Sequence, residues 1–255
     1  MKCPMKTPRI CRLLMAVTMA LFASVAAHAS VVIENTRIVY PQQDREVTVR
    51  LESKNQAPVL IQAWLDRGNE HSTPEEAAVP FIATPPIFRM EPGKQQVVRV
   101  AYTGERLPAT QESLFWFNLL EVPSQSPGTL PRNQLQLAFR SRIKVFLRPT
   151  DLPYSVEAAP EKLQWRRVAS ERGQALEVFN PTPYHVTFEQ VEVLGASSGQ
   201  ARRTVSGPDT MVAPEGRIRF ELPGDASAAK TPLSVEFQTL DDFGLKTPHN
   251  AKVSP

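Results

Sequence analysis

Four cations, Arg140, Arg142, Lys144 and Arg148, share the even positions of residues 135–148, and a fifth, Arg37, stands among the apolar residues of the segment 31–40. Guanidinium and ammonium groups gathered along a cleft would capture a carboxylate through charge-assisted hydrogen bonds, each worth about 1.5–3 kcal/mol. Taken alone, the four cations also read as an ordinary solvated strand face. The matching character of the Arg37 segment favours one composite anion site built from two edge strands.

Other chemistry is thinly supplied. Gly195-Ala-Ser197-Ser-Gly199 spells a nucleophile elbow, and Asp241, Asp242 and His249 follow it in hydrolase order. That motif acts on a turn from strand into helix, whereas here it joins a strand ending at Leu194 to another expected near 201–205, so a hairpin loop is the favoured reading. Asp242-Phe243-Gly244 copies a kinase magnesium triplet without the glycine-rich loop or strand lysine that would give it meaning. His71, His185 and His249 lack metal-ligand spacing, so no metal, cofactor or catalytic residue is expected. A glycan-binding module is the alternative reading, and it would need an aromatic platform. Trp64 and Trp116 sit in apolar strand stretches and are expected in the core.

The elements that position these groups are strands. The chain has 24 prolines and no window with apolar spacing of three and four, which argues against long helices. In 135–148 the odd positions are apolar except Ser141, an alternation that predicts one strand of about 45 Å. An extended apolar edge is an aggregation hazard unless another chain pairs with it. Val47, Val49 and Leu51 alternate with polar residues, as do Val98, Val100 and Tyr102, and 58–65 is a further strand. The prolines of 83–94 confine that segment to an edge strand with a turn at Pro92-Gly93. Arg148-Pro149 to Pro153 ends the long strand and marks a domain boundary. Beyond it come Leu176 and Val178, Val186 and Phe188, Ile218 and Phe220, then Val235 and Phe237. Apolar parity shifts from Phe188 to Val191, which requires a bulge near Glu189 or Gln190. Residues 246–255 are polar without pattern and are expected to be loosely held.

Residues 1–29 read as a secretory signal: Lys2, Lys6, Arg9 and Arg12, an apolar run too short to span a membrane, and Ala27-His28-Ala29 before Ser30. They hold four of the 29 Lys plus Arg and none of the 26 Asp plus Glu, so the mature chain keeps 25 against 26, a formal −1. Bulk-charge binding of nucleic acid is thereby disfavoured. Both cysteines, Cys3 and Cys11, lie in this segment, so the exported chain has neither thiol nor disulfide. The reading is an exported, unanchored, all-β protein of two domains, 30–150 and 151–255, working between two bacterial membranes.

Thr36-Arg37, Gln62-Ala-Trp64, Ala83-Thr-Pro-Pro86, Met90-Glu-Pro-Gly93, Glu112-Ser-Leu-Phe-Trp-Phe-Asn118, Ile143-Lys144 through Arg148-Pro149 and Asn180-Pro-Thr-Pro-Tyr184 recur in one order across both halves. On these motifs the chain resembles the PapD-type periplasmic pilus chaperones of chaperone-usher assembly. The resemblance implies two immunoglobulin-like β-sandwich domains at an angle, a subunit-binding cleft between them and no enzymatic activity. It implies that Leu135, Leu137 and Phe139 fill the groove of an incomplete pilin, and that Arg37 and Lys144 grip the pilin's C-terminal carboxylate. Glu112, Arg148 and Asp242 match an interdomain ion network. The implied partners are pilin or fimbrial subunits and an outer-membrane usher, with self-association of the free chaperone as a further expectation, and the implied compartment is the periplasm. The short segment 122–134 is similar to the subclass with a short loop before the donor strand. Phe139 is larger than the aliphatic residue common at its position, Thr110 replaces a preferred Asp, Asn or Ser, and the disulfide that one member carries in its second domain has no counterpart here.

Overall fold

The computed structural model describes residues 31–124, 137–171, 173–194, 202–204, 210–222 and 234–254. The expected signal segment therefore lies outside the described residues, as do Leu135 and the loop holding Ser197. The first half runs β1 (Val31–Ile33), β2 (Arg37–Pro41), β3 (Glu46–Ser53), β4 (Val59–Asp66), β5 (Phe81–Thr84), β6 (Ile87–Met90), β7 (Gln95–Tyr102), β8 (Ser113–Pro123) and β9 (Phe139–Arg148). The second half runs β10 (Gln164–Ser170), β11 (Gly173–Phe179), β12 (Val186–Leu194), β13 (Arg202–Thr204), β14 (Met211–Val212), β15 (Arg217–Glu221), β16 (Ser234–Leu240) and β17 (Lys246–Ser254).

In the first domain a sheet of order β1-β3-β7-β5 faces one of order β2-β9-β8-β4-β6. Their inward residues form one core, including Tyr40, Leu51, Ile61, Val98, Val100, Phe115, Phe117, Val145 and Leu147. Period-two alternation explains the selection: each strand turns every second side chain inward, where Val, Ile and Phe pack well on the pleat. The prolines of 83–94 do more than mark an edge. They divide the segment into β5, at the edge of one sheet, and β6, at the edge of the other, and the chain crosses between sheets at the cis Thr84-Pro85 bond. Pro85 and Pro86 cannot donate to a ladder, so the crossing falls where pairing is already lost.

The second domain is also all β. Strands β13-β12-β16-β17 and β10-β11-β15 wrap a core of Trp165, Leu176, Val178, Phe188, Phe220 and Phe237, and they join where β17 lies parallel to β10. The β12–β16 register shifts between Phe188 and Gln190, leaving Glu189 as the extra residue, as the parity change requires. The freed Glu189 side chain reaches Lys246 at 2.5 Å. That contact belongs to a correction: residues 246–254, expected to be loose, form β17, paired with β16 from Leu240↔Lys246 to Ser234↔Lys252. The ladder is made of backbone groups and needs no apolar run, while half-buried Ala251 and Val253 pack against the core.

A second correction concerns β9. It begins at Phe139, four residues later than the alternation suggests, with Leu137 and Ala138 outside it. Its ladder with β8 ends at the pair Glu121↔Phe139, and β8 then runs into Pro123, which has no N–H to give. On its other side β9 is covered by β2 only from Lys144 to Arg148. Among the described residues, the edge of Phe139–Ile143 facing away from β8 is thus unpaired.

Candidate functional site

β2 and β9 lie parallel, and their register sets Arg37 directly beside Lys144. Alternation sends Ile38, Tyr40, Val145 and Leu147 into the core, so Arg37, Lys144, Phe146 and Arg148 face outward, toward the second domain. Arg37 is 8% exposed; its Nη1 donates to Leu240 O at 3.1 Å, and its buried Nε has no partner. Lys144 has no carboxylate or hydrogen-bond acceptor among the described residues, and its Nζ lies 5.7 Å from the centre of the Trp116 ring. Burial holds the Lys144 ammonium below the usual lysine pKa, and the neighbouring Arg37 charge lowers it further. Burial likewise lowers Arg37, against the pull of Asp242 and Asp241. Two like charges thus stand side by side, desolvated and without a direct ion pair, Asp241 and Asp242 acting on Arg37 only through space. A cavity of about 150 Å³ opens beside Arg37 but not Lys144, lined among others by Phe146, His185, Leu240, Asp242 and Phe243.

Arg148, next outward but one, is fully engaged. Its Nε donates to Glu112 Oε1 at 2.7 Å, and its Nη1 and Nη2 donate to Asp242 Oδ2 and Oδ1 at 2.6 and 2.8 Å, a bidentate fork. Burial would lower its pKa, but the hydrogen bond and charge of Asp242, with those of Glu112, raise it above the ordinary arginine value. The sequence motifs did not reveal His185 as a fourth member. Its backbone N donates to Glu112 Oε2 at 2.8 Å, its Nδ1 lies 3.2 Å from the same oxygen, and its ring packs 5.4 Å from that of Phe146. Only its place after Asn180-Pro-Thr-Pro-Tyr184 could have flagged it.

The loop between β16 and β17 presents Asp242. Asp241 Oδ1 accepts from Phe243 N and Leu245 N at 2.9 and 2.8 Å, closing the turn, and Gly244 adopts a left-handed φ of 81°. A Cβ at Gly244 would stand 2.6 Å from Thr36 Oγ1 in the first domain, so only glycine permits this approach. Asp242-Phe243-Gly244 is thus a hairpin turn, and Asp241 is occupied in closing it. His249 meets Thr239 Oγ1 at 2.9 Å and stacks on Phe237, with its pKa lowered by burial. Among the described residues no group of His, Cys, Asp or Glu could hold a metal ion.

The remaining cations on β9 are neither a solvated face nor open to a ligand. Buried Asp66 accepts from Gly68 N (2.6 Å), Ser72 Oγ (2.8 Å), Asn118 Nδ2 (2.7 Å), Arg142 Nη2 (2.9 Å) and Arg140 Nη2 (3.3 Å). Asn118 Oδ1 accepts from Arg140 Nε and Nη2 and from Arg142 Nε, at 2.8–3.1 Å. Burial would raise the Asp66 carboxyl, but the bonds from Gly68, Ser72 and Asn118 and the Arg142 charge bring it below the usual carboxylate value. Arg140 lies 4.7 Å from the centre of the Trp64 ring and Arg142 4.8 Å from that of Trp116. Of the two tryptophans expected in the core, Trp64 is buried, beneath Arg140 on the outer face, whereas Trp116 is only half-buried beneath Arg142 and Lys144, which corrects the expectation for it. Even parity on β4 and β8 sends both away from the inner core; Trp165 fills the core of the second domain instead. No single-strand pattern signals that Asp66 and Asn118 meet across β4 and β8.

Toward the open end of β9, Leu137 and Phe139 are 54% and 55% exposed, beside a groove formed by Asn55, Pro58, Val59, Glu121 and Pro123. The candidate site therefore consists of an unpaired strand edge with bare apolar side chains, ending at two cations without a direct ion pair.

Comparison with known proteins identifies the family. Residues 30–153 match the family described as the pili and flagellar-assembly chaperone PapD N-terminal domain, and residues 158–251 match the pili assembly chaperone PapD C-terminal domain. The chain is 39% identical over 241 residues to the chaperone protein FimB/FhaD of Bordetella pertussis, covering 92% of this chain and 93% of that one. It is 40% identical over 243 residues to the probable fimbrial chaperone YadV of Escherichia coli, covering 93% and 95%. The crystal structure of the Pseudomonas aeruginosa CupB2 chaperone superposes with a TM-score of 0.70 at 37% identity, over 88% of this chain and all of that one. Two matched domains in series, with relatives at this identity over nearly the whole length, place the chain in the PapD family: it is a fimbrial chaperone of the chaperone-usher pathway.

Proposed function

We propose that this chaperone works by donor-strand complementation, lending residues 135–143 to a pilin subunit that lacks a strand of its own sandwich. The carrying observation is the unpaired edge of Phe139–Ile143, flanked by exposed Leu137 and Phe139 and ending beside Arg37 and Lys144. Leu135, Leu137 and Phe139 enter the subunit's groove, the strand edge supplies ladder hydrogen bonds, and Arg37 with Lys144 bind the C-terminal carboxylate. Burial of the apolar side chains drives association at about 25 cal/mol per Å², while the carboxylate contact sets where the strands align. Glu112, Arg148, Asp242 and His185 hold the two domains so that Arg37 faces the cleft. The chaperone acts in the periplasm after cleavage before Ser30 and hands its subunit to an outer-membrane usher. No helix among the described residues is long and apolar enough to cross a membrane.

The test is affinity purification of tagged wild type and of Lys144→Ala from the native periplasm. Partners are identified by mass spectrometry and folding is checked by circular dichroism. Recovery of small pilin-like subunits with wild type and their loss from a folded Lys144→Ala supports the reading. Equal recovery moves the anchor elsewhere, and no subunit with either protein defeats strand donation.

A further inference from the structure

Strand alternation protects a paired strand against a slip of one residue, which would turn every apolar side chain outward, but not against a slip of two, which restores the same face. On β9 a shift of two residues, about 6.6 Å, moves a chain end from Lys144 to Arg142. In the opposite direction the path is closed, because β2 already occupies the edge from Lys144 to Arg148. Only the slip toward Arg142 and Arg140 is open, and both present a cation to the outer face, as Lys144 does.

We propose that Asp66 and Asn118 are register-determining residues for subunit binding, occupying Arg140 and Arg142 so that an incoming carboxylate has its one landing place at Arg37 and Lys144. The inference rests on the reading of those two cations as the carboxylate anchor. Of the five cations on this face, Arg148 is neutralised by Glu112 and Asp242, while Arg140 and Arg142 share buried Asp66, with exposed Glu70 a looser second partner 3.8 Å from Arg142 Nη1. Asn118 Oδ1 adds three further guanidinium contacts. The Asp66 side chain is 2% exposed, so its charge is not screened away, and the two guanidiniums are pinned onto Trp64 and Trp116. What remains without a direct ion pair is Lys144 and Arg37, the latter bonded only to Leu240 O and acted on by Asp241 and Asp242 through space. A second carboxylate arriving at Arg142 would meet Asp66, a like charge in a poorly solvated setting, so a slipped complex gains no anchor.

The experiment uses the mature chain, which contains no cysteine, and two probes: an acetylated Thr/Val-alternating strand peptide with a free C-terminal carboxylate, and the same peptide as its C-terminal amide. Titration calorimetry reads the preference for carboxylate over amide. Single-cysteine chains Ser141→Cys and Phe139→Cys, cross-linked to one cysteine in the peptide, read the register. Wild type is expected to prefer the carboxylate by about tenfold or more and to cross-link at 141, and Lys144→Ala to lose that preference. Adding Asp66→Asn to Lys144→Ala is expected to restore about tenfold of preference, with the cross-link moved to 139, and Arg142→Met on top to abolish it. A purely structural role for Asp66 predicts weaker binding in every background and no moved cross-link. If Asp66→Asn does not fold, Asn118→Leu carries the same test with a smaller gain. The proposal is overturned if neither variant restores carboxylate preference to Lys144→Ala, or if the restored preference survives Arg142→Met. Absence of any carboxylate preference in wild type would defeat the anchor itself, and this inference with it.

Discussion

Arg148→Ala removes a side chain that bonds at once to a carboxylate of the first domain and one of the second. Three charge-assisted bonds are lost, but their consequences differ. Asp242 is 26% exposed and regains water, so its share is modest, as for surface pairs. Glu112 is 1% exposed and cannot. It keeps only His185 N and the His185 ring, and removing one partner of a buried pair in this way costs about 3–5 kcal/mol. Against a total stability of about 5–15 kcal/mol, that is a large fraction. Two domains need not unfold together, so the assay is urea unfolding followed by hydrogen exchange at β8 in the first domain and at β16 in the second, with small-angle scattering on the native state. The expected result is earlier unfolding of the seam around Glu112 and His185 and a broader distribution of interdomain distances. The paired replacement Arg148→Met with Glu112→Gln should recover most of the loss, since exchanging both partners leaves no buried charge. A loss below about 1 kcal/mol with an unchanged scattering profile would refute the assignment of this network to holding the domains.

Leu137→Glu is expected to leave the free protein within about 0.5 kcal/mol of wild type, because the side chain is already half exposed, yet to weaken subunit binding by about 100-fold or more. Paired denaturation and pull-down measurements decide it, and retained binding would show that another face carries the groove contact. Gly244→Ala forces a left-handed φ on a residue with a Cβ, at about 1–2 kcal/mol, and drives that Cβ against Thr36. Its cost should be less than additive with Arg148→Ala in a double-mutant cycle, because both act through the placement of Asp242. Lys144 gives a pH dependence with a definite sign. Its folded-state pKa is lowered by burial and by Arg37, so a carboxylate-terminated peptide should begin to lose affinity at a pH below the ordinary lysine value. The free fold is not weakened by that deprotonation, since a lysine whose folded pKa is depressed is a penalty while charged and is relieved as pH rises. In Arg37→Ala the fall in affinity should move to higher pH, and an amide-terminated peptide should show no such fall.

What the sequence determined by itself was the set of faces. Alternation in 47–51, 98–102 and 143–148 specifies which side chains enter a core, because a pleated strand has period two whatever it pairs with. An odd step in that period narrowed the bulge to Glu189 or Gln190, and Asn180-Pro-Thr-Pro-Tyr184 and Ala83-Thr-Pro-Pro86 carried the family likeness. Pairing itself was decided by tertiary structure, because it depends on what lies alongside. The length of β9 followed from where β8 reaches Pro123, the order in 246–254 came from backbone ladders that polar residues can make, and the outward position of Trp116 followed from parity on a strand rich in apolar residues on both faces. Most of all, five cations alike in sequence took three roles. Arg148 met Glu112 and Asp242 across the domain seam, Arg140 and Arg142 met Asp66 and Asn118 from other strands, and Arg37 met Lys144 with no carboxylate between them. A charge is read from one residue, but whether it is neutralised depends on neighbours that lie tens of residues away and are brought close only by the fold.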